Sequence, residues 1–582
     1  LNTDLNSFIN LVKNYFKNLK NYFLTLVLLV CISTTAQNKY PKDYFRSPLN
    51  IPLKLSGTFG ELRNNHFHAG IDIKTNKRVG LPVYATADGY VSRIKVAIWG
   101  YGKVLYVRHN NGFTSVYAHL SRFEKSIQKY VKNIQYEKES YETGNIYPED
   151  GEIFVKKGDI IAYSGRTGGF VAPHLHYEIR DTETEHIINP LFFGLKVNDS
   201  IAPKIKRIMV YPIEIGSRVN RSIKKQSLGI KRDSLNAYKT NRISASGKIG
   251  FGLNVYDLLG KELNKNGVFS IEMLVNGKRH YFHNLETFSF AESKYINLLI
   301  DYPYYKTYKN RIQKTFKENA NKLSIYKDLI YDGIIDVKQG LNYKVEIIVK
   351  DFIGNTSSIK IPIIGERSES LISQQQDTTN YKIVKNKFHK FSKKGVTIAF
   401  PKNTFYEDIY INFSVNDKQV NIHKPTIPLN KSFTISFDST MYKKTELDKI
   451  YIANINNKKY PYYQNTRKKL DKIYTTTKTL GNYTLLIDKQ YPKIYNCNFK
   501  DNDWTSRLQY LTIKISDSES GIKSYEAYID NEWILMEYDV KKKKLSYNFN
   551  DKKLVGSKHI FKLVVYDNVG NTNTYQSTFY RK

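Results

Sequence analysis

Cysteine is nearly absent from this 582-residue chain, with Cys31 and Cys497 the only two. Cys31 falls in an N-terminal stretch with export features, so the mature chain is expected to hold one thiol and no internal disulfide, which excludes a disulfide-stapled scaffold. Long apolar runs are missing as well. The run Phe23 to Ile32 is shorter than the ~20 residues a membrane-spanning helix needs, so no transmembrane helix is expected after leader removal. Acidic residues are few, with 54 Asp+Glu against 90 Lys+Arg and a net charge of +36. Such an excess brings nucleic acid or an anionic surface into view. Here the lysines are spread over the whole length among Asn, Ile and Tyr, with no basic helix or recognition motif. They read as compositional bias suited to an anionic envelope, and no nucleic-acid partner is expected.

Amphipathic helical periodicity is scarce too. What is present is strand-like: Tyr (47) and Phe (30) are abundant, and Ile, Val and Thr run through most segments. The fold class expected is mainly β. Residues 1–36 read as a signal peptide, with Lys13, Lys17 and Lys20 ahead of the apolar run and Ser33-Thr-Thr-Ala36 as a cleavage region. Residues 37–199 are punctuated by glycine, and Asn110-Asn111-Gly112 between Val104–His109 and Phe113–His119 is a strong hairpin signal. Within them, Phe123, Ile127, Tyr130, Val131 and Ile134 stand at helical spacing, which predicts a helical insertion at about 121–150.

Beyond residue 198 the text repeats itself. Pro203-Lys204-Ile205 and Pro492-Lys493-Ile494 open two units that close on Asp351-Phe-Ile-Gly354-Asn355 and Asp567-Asn-Val-Gly570-Asn571. The closing turns follow strand-like runs, as in an immunoglobulin-like sandwich. Units 200–366 and 489–582 are therefore expected to be Ig-like β-sandwiches. A Ser/Gln/Thr-rich linker at 367–380 and an accessory β domain at 381–488 would lie between them.

Seven of the twelve histidines lie between residues 66 and 186: His66, His68, His109, His119, His174, His176 and His186. His174-Leu175-His176 opens an alternating run, so both imidazoles share one strand face about 6 to 7 Å apart. Upstream stands His68-Ala69-Gly70-Ile71-Asp72. Residues four apart on a straight strand are about 13 Å from each other, so this segment must bend before His68 and Asp72 can share an ion, and Gly70 would permit it. His68, Asp72 and one imidazole of the pair form a two-nitrogen, one-carboxylate set that suits Zn²⁺ with an open fourth position. No His-Glu-x-x-His helix supplies a glutamate. The spare imidazole and His119, in Tyr117-Ala-His119-Leu120, are the candidates for proton transfer. Glu178 shares the strand face of the pair and could support a ligand. His66 reads as a surface neighbour, and His109, beside the Asn-Gly turn, as structural.

Gly57-Thr-Phe-Gly60, His68-Ala-Gly-Ile-Asp72, Gly80-Leu-Pro-Val-Tyr-Ala85, Tyr117-Ala-His-Leu120, Gly165-Arg-Thr-Gly168 and Pro173-His-Leu-His176 together resemble the lysostaphin-type, LytM-like zinc endopeptidases of peptidoglycan. The resemblance covers about Ser56 to Pro190. It implies an antiparallel β-sheet peptidase domain, a Zn²⁺ cofactor held by His68, Asp72 and His176, and peptidoglycan peptides as partners. His119 and His174 would form the acid/base and oxyanion pair, with either assignment open. The segment between Leu120 and Val155 is longer than the family's usual connection and, placed directly after His119, could gate the groove.

On this reading the protein is an exported zinc metalloendopeptidase of the periplasm or cell envelope, or secreted. It would hydrolyse cross-links or stem peptides and bind an envelope or protein partner through its C-terminal β domains. Two other classes stay open on sequence: a non-catalytic regulator of another wall hydrolase, and an envelope-binding adhesion protein.

Overall fold

The computed structural model describes residues 39–170, 172–260, 264–367, 378–443 and 445–582, and Tyr15. All of the leader but Tyr15, and most of the 367–380 linker, lie outside the described residues. The architecture is mainly antiparallel β, as expected.

Thirteen short elements build the histidine-bearing unit: β1 (Leu55–Gly57), β2 (Ile71–Lys74), β3 (Pro82–Tyr84), β4 (Gly89–Val96), β5 (Lys103–Arg108), β6 (Phe113–Leu120), β7 (Arg122–Phe123), α1 (Lys125–Glu137), β8 (Gly144–Ile146), β9 (Phe154–Val155), β10 (Ile160–Tyr163), β11 (His174–Asp181) and β12 (Ile187–Ile188). The main sheet runs β1-β2-β11-β6-β5-β4-β8, and β3-β10-β7 form a smaller one. The β5–β6 hairpin closes at the Asn-Gly turn, where Gly112 has φ 82° and its amide donates to the His109 carbonyl at 3.3 Å. One face of the main sheet buries Ile71, Ile73, Leu105, Val107, Tyr117, Leu175, Tyr177 and Ile179 in the core. The opposite face carries the site. Period-2 alternation thus divides one strand set into a core side and a chemical side.

The insertion is helical over a shorter span than its spacing suggests. The Glu124 side chain caps the helix by accepting from the Ser126 amide at 2.7 Å, which leaves Phe123 on β7. Glu139 at φ 45° stands just past the end of the helix. Ile127 and Val131 face the core, and β8 returns the chain to pair with β4. The outer side of α1 meets the C-terminal unit. Lys132 pairs with Asp551, the Tyr136 and Trp533 rings are 5.4 Å apart, and Trp533 and Leu535 join the same core as Ile127. Lys103 with Glu537 at 2.7 Å, and Arg166 with Asp539, bind the two units nearby.

A second core gathers Ile208, Val210, Phe251, Ile271, Ile347 and Ile361 within a 14-stranded sheet system. From the same stretch of chain, Thr287–Phe288 leaves this system and joins the main sheet of the first unit by pairing with β12. A third core, including Phe400, Ile435, Ile452 and Tyr483, lies between two five-stranded sheets. The last, including Ile513, Tyr547, Phe561 and Phe579, lies between a four- and a five-stranded sheet. Among the described residues no helix is long and apolar enough to cross a membrane.

Candidate metal centre

Register places the first two donors. His176 on β11 stands directly opposite Asp72 on β2, and cross-strand partners point to the same face. Asp72 Oδ1 lies 2.9 Å from His176 Nδ1. His68 precedes β2, and its Nε2 is 3.0 Å from both Asp72 Oδ1 and His176 Nδ1. Gly70 is needed between them for space: a Cβ there would stand 2.3 Å from the Tyr177 carbonyl oxygen. Its φ is not positive, so close approach to β11, rather than left-handed backbone, is what requires glycine.

The remaining atoms of these residues are already engaged. His68 Nδ1 donates to the Thr58 carbonyl at 2.8 Å, and His176 Nε2 donates to Glu178 Oε1 at 2.9 Å. Arg63 holds Asp72 Oδ2 at 3.0 Å. Two imidazole nitrogens and a carboxylate oxygen therefore converge on one point, each 2.9 or 3.0 Å from the next. Three acceptors in a buried pocket repel one another unless a cation sits among them. Burial disfavours the charged form of His176, but its hydrogen bonds to Asp72 and Glu178 outweigh this and raise it to about 9. The pocket demands positive charge there. The donor set, its convergence and its outer hydrogen bonds fit a divalent metal of the zinc type.

Glu178 is fully buried on the same face of β11 and binds His176, the Tyr101 hydroxyl and Arg180. Burial pushes its carboxyl up, but Arg180, His176 and Tyr101 outweigh that and hold it at about 2. An ionised Glu178 fixes the His176 tautomer and makes its Nδ1 a better donor. Arg63 and Arg180 were not singled out from sequence. For Arg180 a signal existed, since it stands two residues beyond Glu178 on the same strand face.

His174 and His119 complete the cluster. His174 Nδ1 lies 3.0 Å from the Ala172 carbonyl oxygen, while its Nε2 is buried without a hydrogen-bond partner among the described residues, 3.7 Å from Asp72 Oδ1. His119 is placed by an irregularity. Ala118 pairs with His176, so alternation would send the next side chain into the core. Between the pairs Lys103–Leu120 and Leu105–Tyr117, β6 carries one extra residue, and His119 has φ 60°. A bulge with a left-handed, non-glycine residue turns the imidazole back onto the site face. Its ring centroid lies 4.8 Å from that of His174 and 4.2 Å from that of Phe170, and its Nδ1 contacts the Thr167 carbonyl at 3.1 Å. Burial lowers the basicity of both rings, of His119 the more, so both are held neutral.

The structure thus brings His68, Asp72, His119, His174 and His176 into one buried cluster. It leaves the others outside. His66 is exposed, and His109 is buried elsewhere, bonded to the Asp88 carbonyl and Ser115 Oγ. The partners observed for the helical insertion are in the C-terminal unit rather than among these five residues.

Residues 66–138 match the profile of Peptidase family M23, and residues 380–488 match that of a Zu5-like domain. The chain is 31% identical over 156 residues to an uncharacterised metalloprotease of Haemophilus influenzae, covering 26% of this chain and 27% of that protein. It is 33% identical over 132 residues to the DD-carboxypeptidase/endopeptidase Mpg of Neisseria meningitidis serogroup B, covering 22% and 24%. To the glycyl-glycine endopeptidase ALE-1 of Staphylococcus capitis it is 30% identical over 142 residues, covering 24% and 29%. The chain spans about a quarter of the length of the first two relatives. The expected likeness to lysostaphin-type and LytM-like peptidases holds for this unit.

Proposed function

We propose that the chain is an exported zinc endopeptidase that hydrolyses peptide bonds of peptidoglycan. The observation that carries this reading is the convergence of His68 Nε2, Asp72 Oδ1 and His176 Nδ1, with two neutral imidazoles beside them. The family match and the wall-acting relatives support the substrate class.

His68, Asp72 and His176 would hold the metal. When bound, zinc supplies Lewis acidity that polarises the scissile carbonyl and makes a water acidic near neutral pH. The chain's own residues do the rest. Glu178 and the Thr58 carbonyl orient His176 and His68 by engaging the ring nitrogen of each that faces away from the centre. Each of His119 and His174 has Nδ1 against a backbone carbonyl, which leaves Nε2 as the working nitrogen. Held neutral by burial, one ring accepts a proton as the nucleophile forms and returns it to the leaving amine, while the other donates to the developing oxyanion. Phe170 beside His119 keeps bulk water from that ring.

The test is digestion of purified peptidoglycan by the protein, by metal-depleted protein and by His68→Ala, with products identified by mass spectrometry. New stem-peptide ends are expected from the first alone, and readdition of zinc should restore the second. Equal product from all three would exclude the zinc-hydrolase reading.

A further inference from the structure

A second ligand cluster, with two of its three residues buried, lies away from the histidines. Asp199, Asp257 and Asp351 offer carboxylate oxygens within 4.8 Å of one another. Asp199 stands at the exit of the first unit, Asp257 near the end of the long strand Ile243–Leu258, and Asp351 in the turn after Asn342–Lys350. The three are the charged part of the lining of a cavity of about 30 Å³ whose other walls are mostly apolar, among them Phe59, Leu191 and Phe352. That volume suits one ion or one water.

Part of this oxygen set is satisfied. Asp351 Oδ1 accepts from the Gly354 and Asn355 amides at 2.7 and 2.9 Å, and Asp199 Oδ1 accepts from the Ile201 amide at 3.0 Å. Part is not. Asp257 is 1% exposed, yet among the described residues its Oδ1 has no hydrogen-bond partner, and Asp199 Oδ2 has none either. Asn266, the cross-strand partner of Asp257, has a buried Oδ1 that is also unpartnered. Cross-strand partners share a face, so this is a further oxygen beside the cluster. Burial, and then the Asp199 and Asp351 carboxylates, push the Asp257 carboxyl up to about 7, with Lys204 opposing.

We infer that Asp199, Asp257 and Asp351 bind a hard divalent cation, calcium in class, at the junction between the peptidase-like unit and the unit that follows it. The donors are all oxygen, with no imidazole or thiolate among them, which favours calcium over zinc. Clustered carboxylates with unfilled lone pairs give calcium the anionic, multidentate shell it prefers. Bound there, the ion ties the segment leaving the first unit to a strand end and a closing turn of the second. It would thereby fix the angle between them.

The chain holds an internal contrast. Asp488, Asp517 and Asp567 form the corresponding triad of the last unit, four residues before its Pro-Lys-Ile opening and at its own Asp-x-x-Gly-Asn close. There the backbone already serves every carboxylate. Gln490 and Ser520 donate to Asp488, Glu519 and Gly521 to Asp517, and Val569 and Asn571 to Asp567. The unpartnered oxygens that motivate a ligand belong to the first triad.

The experiment is calorimetric titration of the zinc-loaded full chain with CaCl₂, beside Asp257→Asn and Asp517→Asn, with melting curves in calcium-depleted and calcium-containing buffer at pH 7.5. Asp257→Asn is expected to lose one equivalent of calcium that Asp517→Asn retains. Calcium should raise the melting temperature of the parent more than that of Asp257→Asn. Without calcium, Asp257→Asn should melt no lower than the parent, because the amide removes like-charge repulsion. Identical calcium titrations for parent and Asp257→Asn would overturn the proposal. So would an Asp257→Asn deficit in melting temperature that is the same with and without calcium, which marks a structural role alone.

Discussion

The histidine cluster is buried throughout, and the aspartate triad at 199, 257 and 351 is buried except for a half-buried Asp199; both gather acceptors around one point, yet they are assembled in opposite ways. In the first, Asp72 and His176 face each other across neighbouring strands, and every nitrogen not aimed at the centre is tied to Thr58, Glu178, Thr167 or Ala172. The donors are oriented before any ligand arrives. In the second, the oxygens come from a unit exit, a strand end and a turn, and some have no partner. One is a cradle whose donors are held in place by their own hydrogen bonds. The other is a joint whose geometry depends on two units being in place.

The largest effect expected within the histidine cluster is from His119→Ala. If His119 moves a proton rather than holding the metal, turnover should fall about 10²- to 10⁴-fold at unchanged zinc content. Activity measured alongside metal analysis checks this, and loss of zinc in that variant would move His119 into the ligand set. Glu178→Gln should act one step further out. It leaves all three donors in place but weakens the hold on His176 and leaves Arg180 unbalanced, so zinc affinity should drop about 10- to 100-fold. A competition titration against a chromophoric chelator reads this directly, and unchanged affinity would reduce Glu178 to packing.

The smallest effect separates both clusters from ordinary buried histidines. Burial lowers His109 to about 4 and His283 to about 3, from 6.5. Their folded-state values lie below the unfolded one, so the unfolded chain binds more protons as pH falls. The stability they permit is fully present above pH 6.5 and is lost as pH drops towards 4 for His109 and 3 for His283. Each should contribute a slope of at most about 1.4 kcal/mol per pH unit in that window. Denaturant melts of His109→Gln between pH 6.5 and 4 should be flatter than those of the parent by that amount, and parallel slopes would show that His109 keeps a proton in the fold.

The site was more legible than the joints because its residues announce themselves locally. His-x-His on an alternating run and His-Ala-Gly-Ile-Asp before another carry both spacing and residue type, and Glu178 follows from the same alternation. The steric demand on Gly70 was not legible, because a close approach to Tyr177 cannot be read from its own segment. The helix was visible in its spacing, but its start depended on the Glu124 cap and its outer partner on residues 533–551. The paired Pro-Lys-Ile openings and Gly-Asn closes were visible too. The aspartates they bring together were not, since Asp257 sits in an unremarkable strand far from both.

By itself the sequence determined a mainly β chain, the hairpin at Asn110 to Gly112, and the residue types of a two-histidine, one-carboxylate centre with two histidines to spare. Period-2 alternation and residue chemistry are local, so they survive reading in one dimension. Only the tertiary structure decided which nitrogen of each ring faces the centre, because that follows from the carbonyl or carboxylate that captures the other one. Only the fold, too, put His119 on the site face against its own alternation, through a bulge and a positive φ that neighbouring strands hold in place. The aspartate joint was likewise beyond sequence, since its oxygens meet only once two units have packed around them.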